Sequence, residues 1–257
     1  MQIVDTIEEW QRIQKQIQEY TIGLVPTMGN LHAGHASLLT RSKKENDLTV
    51  LSIFVNPAQF NDKADLNQYP KTLESDLETA KSIGVDYVFL PNEDMMYPDG
   101  YRYKVTEQEF SRLMEGAHRP GHFDGVLTVV LKLFNLIAPH KAYFGEKDRQ
   151  QLLLIKEMVS ALFLKVEIIS CPTIRDENGL ALSSRNQFLS LDNKVLAAKL
   201  AEVLNLKASC NQIISKLSDY GFEVDYVQDY GQYRFGAVKI QSVRLIDNIN
   251  LLESKES

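Results

Sequence analysis

Two histidines stand three residues apart in "LVPTMGNLHAGHASLL", residues 24–39, a stretch that opens apolar and closes helix-like. The whole chain has five histidines, so His32 and His35 are a concentration. Gly29 and Gly34 give the backbone angles closed to other residues, or let a ligand come close. Strand, glycine loop and helix start, in that order, make an anion site, because helix N-termini present free N–H groups and positive charge. A Walker loop fails: the glycine spacing fits, but His35 and Ala36 stand where lysine and serine or threonine are required. Zinc lacks a completing cysteine or carboxylate nearby. Two readings stay open: histidines that merely cap or fill a turn, and an H-x-G-H signature of nucleotidyl transfer. The second accounts for every unusual residue in the loop. In-line attack at an α-phosphate spreads negative charge over phosphoryl oxygens, to which two imidazoles can donate.

The elements that must position this loop follow from alternating patterns. Buried strands are expected at 21–27, 48–56, 86–91, 141–147 and 165–170, and helices at 34–46, 72–83, 124–137 and 149–162. Thr72 reads as an N-cap, with Glu74 and Asp76 near the positive helix end, and Gly84 reads as a stop. This alternation predicts an α/β fold, a Rossmann-like parallel sheet with helices on both faces. After residue 174 the pattern changes to a polar loop, a helix over 191–208 and short strands over 236–251. The expected domains are therefore 1–173, Rossmann-like, and 174–257, a smaller C-terminal α+β domain.

At 257 residues, 44% apolar, 24% charged and carrying a formal charge of −6, the chain has an ordinary globular composition. The acidic balance argues against nucleic-acid and membrane-surface roles, not against an anionic small molecule held by local cations. Cys171 and Cys210 form no CxxC pair, which favours a reducing, cytoplasmic setting. The N-terminus lacks a signal-peptide core, and the greasiest segment, 125–139, is too short for a bilayer.

With "PTMGNLHAGH", "SIFVNPAQF", "YPKTLESD", "EGAHRPGHFDGV", "FGEKDRQQL" and "LALSSRN" in order, and a weaker echo in "VRLIDN", the chain resembles the pantothenate synthetase family, also called pantoate–β-alanine ligases. The resemblance implies ATP-dependent condensation of pantoate with β-alanine through pantoyl adenylate, giving pantothenate, AMP and pyrophosphate. The attacking groups belong to the substrates, so no serine or cysteine nucleophile is required. By motif position, ATP contacts fall on Met28, Gly29, Asn30, Leu31, His32, Ala33, Gly34 and His35. A second set is Gly145, Glu146, Lys147 and Asp148; a third is Ile174 with Leu182, Ser183, Ser184 and Arg185. The resemblance makes His35 the proton donor and places His32 at the phosphates. Lys147 is a mobile cation suited to charge developing there, and Arg185 suits bidentate phosphate recognition.

The family's glutamines correspond to Gln59 and Gln151 on pantoate, Gln59 also lying near β-alanine. Magnesium is implied by ATP chemistry, with Asp76 as a candidate contact and no assigned ligand set. His118, Arg119 and His122 read as loop and pocket wall, Val129 and Val130 as core. The family implies a homodimer, and a small domain closing as a lid that keeps water from the adenylate. Two features depart from its pattern: Arg149, where an aromatic or small residue is usual, and a shorter segment after Asn186. The alternatives are an H-x-G-H enzyme acting on a phosphorylated acceptor, which should show extra basic residues, and a nucleotide-binding module without turnover.

Overall fold

The expected apolar runs become parallel strands. The computed structural model describes residues 1–252, and these divide into two compact units: Met1–Glu146 with Gln150–Cys171, and Lys147–Arg149 with the chain from Pro172 onward.

In the first unit, β1 (Gln2–Val4), β2 (Ile22–Thr27), β3 (Leu48–Ile53), β4 (Tyr87–Phe89), β5 (Lys141–Gly145) and β6 (Glu167–Cys171) form one sheet in the order β1-β4-β3-β2-β5-β6. Every pairing is parallel. The helices of ten residues or more are α1 (Ile7–Gln16), α2 (Ala33–Glu45), α3 (Leu73–Ile83), α4 (His122–Ile137) and α5 (Arg149–Ala161). Alternate strand residues face opposite sides. Val25, Leu51, Val88 and Tyr143 accordingly pack with Leu38 and Leu39 of α2 and Ala80 of α3. On the other face, Trp10 of α1 meets the rings of Tyr87 and Phe89 and donates to the Leu136 carbonyl of α4, while Phe134 meets Phe144 edge-on. Helices thus cover both faces, as parallel strands require. Val129 and Val130 are core.

Several boundaries move. The strand expected to reach residue 147 ends at Gly145, because Glu146–Asp148 turn as a short 3-10 segment. The helix expected from 124 begins at His122, following Gly121 at φ +81°. Gly84 ends α3 at φ +84°. Thr72 takes the N-cap position but its hydroxyl caps no backbone N–H; it donates instead to Asp76 at 3.1 Å.

The second unit is α+β. Its strands β7 (Glu223–Tyr230), β8 (Tyr233–Ile240) and β9 (Val243–Asn250) are antiparallel in sequence order. The helices α6 (Leu191–Leu204) and α7 (Cys210–Asp219) bury Leu200, Val203, Leu204, Ile213 and Leu217 with Phe222 and Val238. The helix expected to reach residue 208 stops at Leu204. Arg234, 5% exposed, satisfies carbonyls at and after this end, donating from Nη1 to Leu204 and Leu206 and from Nη2 to Ala208, while Nε and Nη2 also grip Asp229. Helix ends leave such carbonyls without intrahelical partners.

Candidate active site

From β2 the chain builds outward through β3 to β4, then returns to lay β5 on the other side of β2. In parallel sheets that reversal opens a crevice at the strands' carboxyl ends, the usual place for a ligand. The loop from β2 is Met28–His32; the turn from β5 starts at Glu146, directly after Gly145. Both unusual motifs of the sequence therefore leave neighbouring strands at the reversal.

The capping reading of the histidine pair holds on one nitrogen of each ring, and it leaves the other nitrogen of each ring outside the cap. His32 is the N-cap of α2: its Nδ1 accepts from the Gly34 N–H at 3.1 Å, and His35 Nδ1 accepts from the His32 N–H at 3.4 Å. The rings lie 4.1 Å apart, centre to centre. A nitrogen that accepts from the backbone carries no proton, so each neutral ring bears its hydrogen on Nε2. The cap thereby sets the tautomer that makes both rings donors. Gly34 is required by the ring itself, since a Cβ there would come within 2.9 Å of His32 Nδ1. Gly29 sits at φ +81°, followed by Asn30 at φ +53°.

That left-handed pair is held by a residue whose role the sequence obscured. Asp76, 2% exposed, accepts from the Asn30 N–H at 2.9 Å and the Leu31 N–H at 2.7 Å, besides the Thr72 hydroxyl. Its carboxylate is occupied by the loop, a geometry that counts against the metal contact considered for it. Among the described residues, no group of three or more His, Cys, Asp or Glu side chains is gathered to hold a metal ion.

Gln59 closes a short turn, Pro57–Gln59, after β3. Its Nε2 lies 2.9 Å from Met28 Sδ, and its Oε1 accepts from Asn56 at 3.1 Å. Asn56, 1% exposed, also donates to the Gly125 carbonyl and accepts from the Tyr97 hydroxyl at 2.7 Å. Arg119 and His122 are more than pocket wall: both reach the Gln59 carbonyl, His122 Nδ1 at 2.8 Å and Arg119 at 3.3 Å. Asn56 and Tyr97 escaped sequence reasoning because their partners lie 41–69 residues away. Of the two glutamines beginning α5, Gln150 is structural, binding Glu115, Phe110 and Leu113 backbone. Gln151 is half-buried.

Gly145 and Glu146 belong to the first unit; Lys147 and Asp148 belong to the second, with Ile174 and Leu182–Arg185. Lys147 is no solvated surface lysine: its side chain is 19% exposed, and Nζ lies 3.4 Å from Asp148. Leu182 N–H donates to the Ile174 carbonyl at 2.9 Å, pinning the segment that leads to "SSR". Ser183 caps the 3-10 turn Ser184–Phe188 by accepting from Arg185 N–H. Burial is the largest influence on both thiols, Cys171 and Cys210, and raises their pKa above the ordinary value. Neither is poised as a nucleophile.

Parallel sheet, loop at the reversal and paired Nε2 donors define a nucleotide-handling α/β enzyme. A profile of the pantoate–β-alanine ligase family matches residues 2–250. The pantothenate synthetase of Legionella pneumophila is 52% identical over 249 residues, spanning 96% of this chain and 99% of its own. That of Coxiella burnetii is 50% identical over 254 residues, 99% and 98% of the two chains. The crystal structure of the Francisella tularensis ligase, complexed with beta-gamma ATP and β-alanine, superposes with a TM-score of 0.92 at 42% identity, covering 98% of each chain. The Thermus thermophilus pantothenate synthetase gives 0.88 at 38%, covering 98% of this chain and 99% of its own. The chain belongs to the pantoate–β-alanine ligase family, and its reaction is the ATP-dependent joining of pantoate to β-alanine. The length after Asn186 that looked short for the family is shared with the Legionella and Coxiella relatives, whose chains are covered almost end to end.

Proposed function

We propose that the reaction runs through pantoyl adenylate and that the paired histidines carry its first step. A pantoate carboxylate oxygen attacks the α-phosphorus of ATP, the bond to the bridging β-phosphate oxygen breaks, and pyrophosphate leaves. The β-alanine amine then attacks the acyl carbon, AMP departs, and one proton is lost. The supporting observation is the tautomer fixed by the α2 cap, which turns His32 and His35 into neutral Nε2–H donors. Such donors match phosphoryl oxygens gaining charge. His35, the proton donor of the family resemblance, is assigned here a hydrogen bond from its neutral Nε2–H to a phosphoryl oxygen without transfer of that proton, and His32 is assigned the neighbouring phosphate oxygens.

Lys147 is assigned the negative charge that grows on departing pyrophosphate, and Arg185 a fork-like grip on phosphate. Met28–His35, Gly145–Asp148, Ile174 and Leu182–Arg185 are assigned to ATP. Gln59 and Gln151 are assigned to pantoate's carboxylate and hydroxyls, with Gln59 also toward β-alanine. The Francisella enzyme's complex with both small molecules supports ATP and β-alanine as ligands here. Magnesium is assigned to the nucleotide's own phosphates, because Mg²⁺ keeps several waters and uses few protein carboxylates.

No helix among the described residues is long and apolar enough to cross a membrane. Both cysteines are free, in keeping with a reducing cytoplasm, and a homodimer is proposed from the family resemblance. Pantoate labelled with ¹⁸O in its carboxylate tests the intermediate: one label should appear in AMP after turnover. Label in pyrophosphate or inorganic phosphate instead would rule out the adenylate.

A further inference from the structure

Arg149 and the "VRLIDN" segment have no part in the assignments above, yet they meet in the second unit. Asn248, 8% exposed on β9, donates from Nδ2 to the Lys147 carbonyl at 2.9 Å and accepts at Oδ1 from Arg149 Nε at 2.8 Å. The Arg149 guanidinium lies 4.2 Å from the centre of the Tyr233 ring on neighbouring β8. The preceding residue, Asp247, is 5% exposed and takes Arg175 in a two-pronged pair, 2.6 and 3.0 Å. Arg175 pairs with Ala181 in an antiparallel bridge and donates to the Gly179 carbonyl, which fixes the turn running into Leu182–Arg185. Two adjacent residues of one strand therefore fasten two chain segments: the one bearing Lys147 and the one bearing Arg185.

We propose that Asp247 and Asn248 are positioning residues for adenylate formation, holding Lys147 and the Ser183–Arg185 turn at a fixed spacing. The proposal rests on the assignment of Lys147 and Arg185 to the phosphates. A lysine side chain has four flexible bonds, so its charge is delivered accurately only when its backbone is held. A side chain displaced by about 1 Å costs on the order of 100-fold in rate, and residues that orient binding groups typically matter about 10–100-fold. Arg149, the departure from the family pattern, then has a concrete role: its planar cation stacks on Tyr233 and locks Asn248 in the rotamer that reaches Lys147.

The two half-reactions separate positioning from mere folding. Attack by β-alanine on preformed pantoyl adenylate involves no departing pyrophosphate, so it should not need Lys147 held in place. Asn248→Ala should slow pantoate-dependent ATP–pyrophosphate exchange by about 10–100-fold, while consumption of supplied pantoyl adenylate by β-alanine changes less than about threefold. Asn248→Asp keeps the acceptor for Arg149 and loses the donor to Lys147; it should show the same selective loss and guards against a variant that does not fold. Hydrogen exchange at the Lys147–Arg149 amides should quicken in both. Equal loss of the two half-reactions, or undiminished pyrophosphate exchange, overturns the proposal. Lys147→Ala is measured alongside: if it abolishes exchange while both Asn248 variants keep it, positioning is wrong and the phosphate role stands. If Lys147→Ala keeps full exchange, the phosphate role fails and positioning with it.

Discussion

His35 has one observed role and one proposed role, on two atoms of one ring. Nδ1 accepts the His32 N–H and Nε2–H is the donor assigned to phosphate. His35→Ala should lower turnover by about 10²–10³-fold, the range for one lost donor to a charge developing in the transition state. It should also cost about 0.5–1.5 kcal/mol of stability, as a lost hydrogen bond to the N-cap backbone does; steady-state rates and a urea melt read the two effects separately. Asp76→Asn keeps the side-chain shape but sets an amide N–H against a loop N–H. That should cost about 1–3 kcal/mol and speed hydrogen exchange at Asn30 and Leu31; unchanged protection there would remove Asp76 as the loop's anchor. The histidine loop stood out because two of the five histidines fall within four residues, whereas Gln59 and Gln151 were named only through the family resemblance. The anchoring role of Asp76 was not legible: its partners are 45 and 46 residues away, and an acidic residue in a first helical turn already has a local explanation.

At the scale of elements, α4 serves the Pro57–Gln59 turn as directly as it serves the core. A Cβ added at Gly125 would stand 2.4 Å from the Ala58 carbonyl oxygen, and Asn56 donates to the Gly125 carbonyl. Gly125→Ala should push that turn away, costing about 1–3 kcal/mol by overpacking, and should raise the KM for pantoate more than the KM for ATP. An equal effect on both would detach the turn from pantoate. The long apolar strands and the amphipathic helices could be read from periodicity, since burial on one or both faces writes itself into the sequence. The short edge strand β1, three residues long with only Val4 buried, leaves no pattern. β7, "EVDYVQDY", has one buried residue of eight, too few to mark a strand by alternation. The position of Lys147–Arg149 in the second unit was equally invisible, because it depends on Asn248, about a hundred residues on, and on Tyr233.

For the whole molecule, an acidic chain of net charge −6 offers no basic field to a triphosphate, so the proposal puts that task on two local cations, Lys147 and Arg185. In the second unit the hydrogen bond from Arg234 holds the Asp229 carboxyl below its ordinary pKa. A depressed carboxylate contributes stability that is complete above the unfolded value of about 3.9 and is lost as pH falls through the folded one. Asp229→Asn should therefore lower the melting temperature near pH 6 and converge on the wild type once the pH has fallen through the depressed folded value. Parallel curves at every pH would show that the charge is irrelevant. The most direct measurement of the central claim is ATP–pyrophosphate exchange without β-alanine, comparing the wild type with His35→Ala. Exchange should depend on pantoate and fall at least about 100-fold in the variant, with its helical circular dichroism retained. Exchange as fast in His35→Ala as in the wild type would contradict the account.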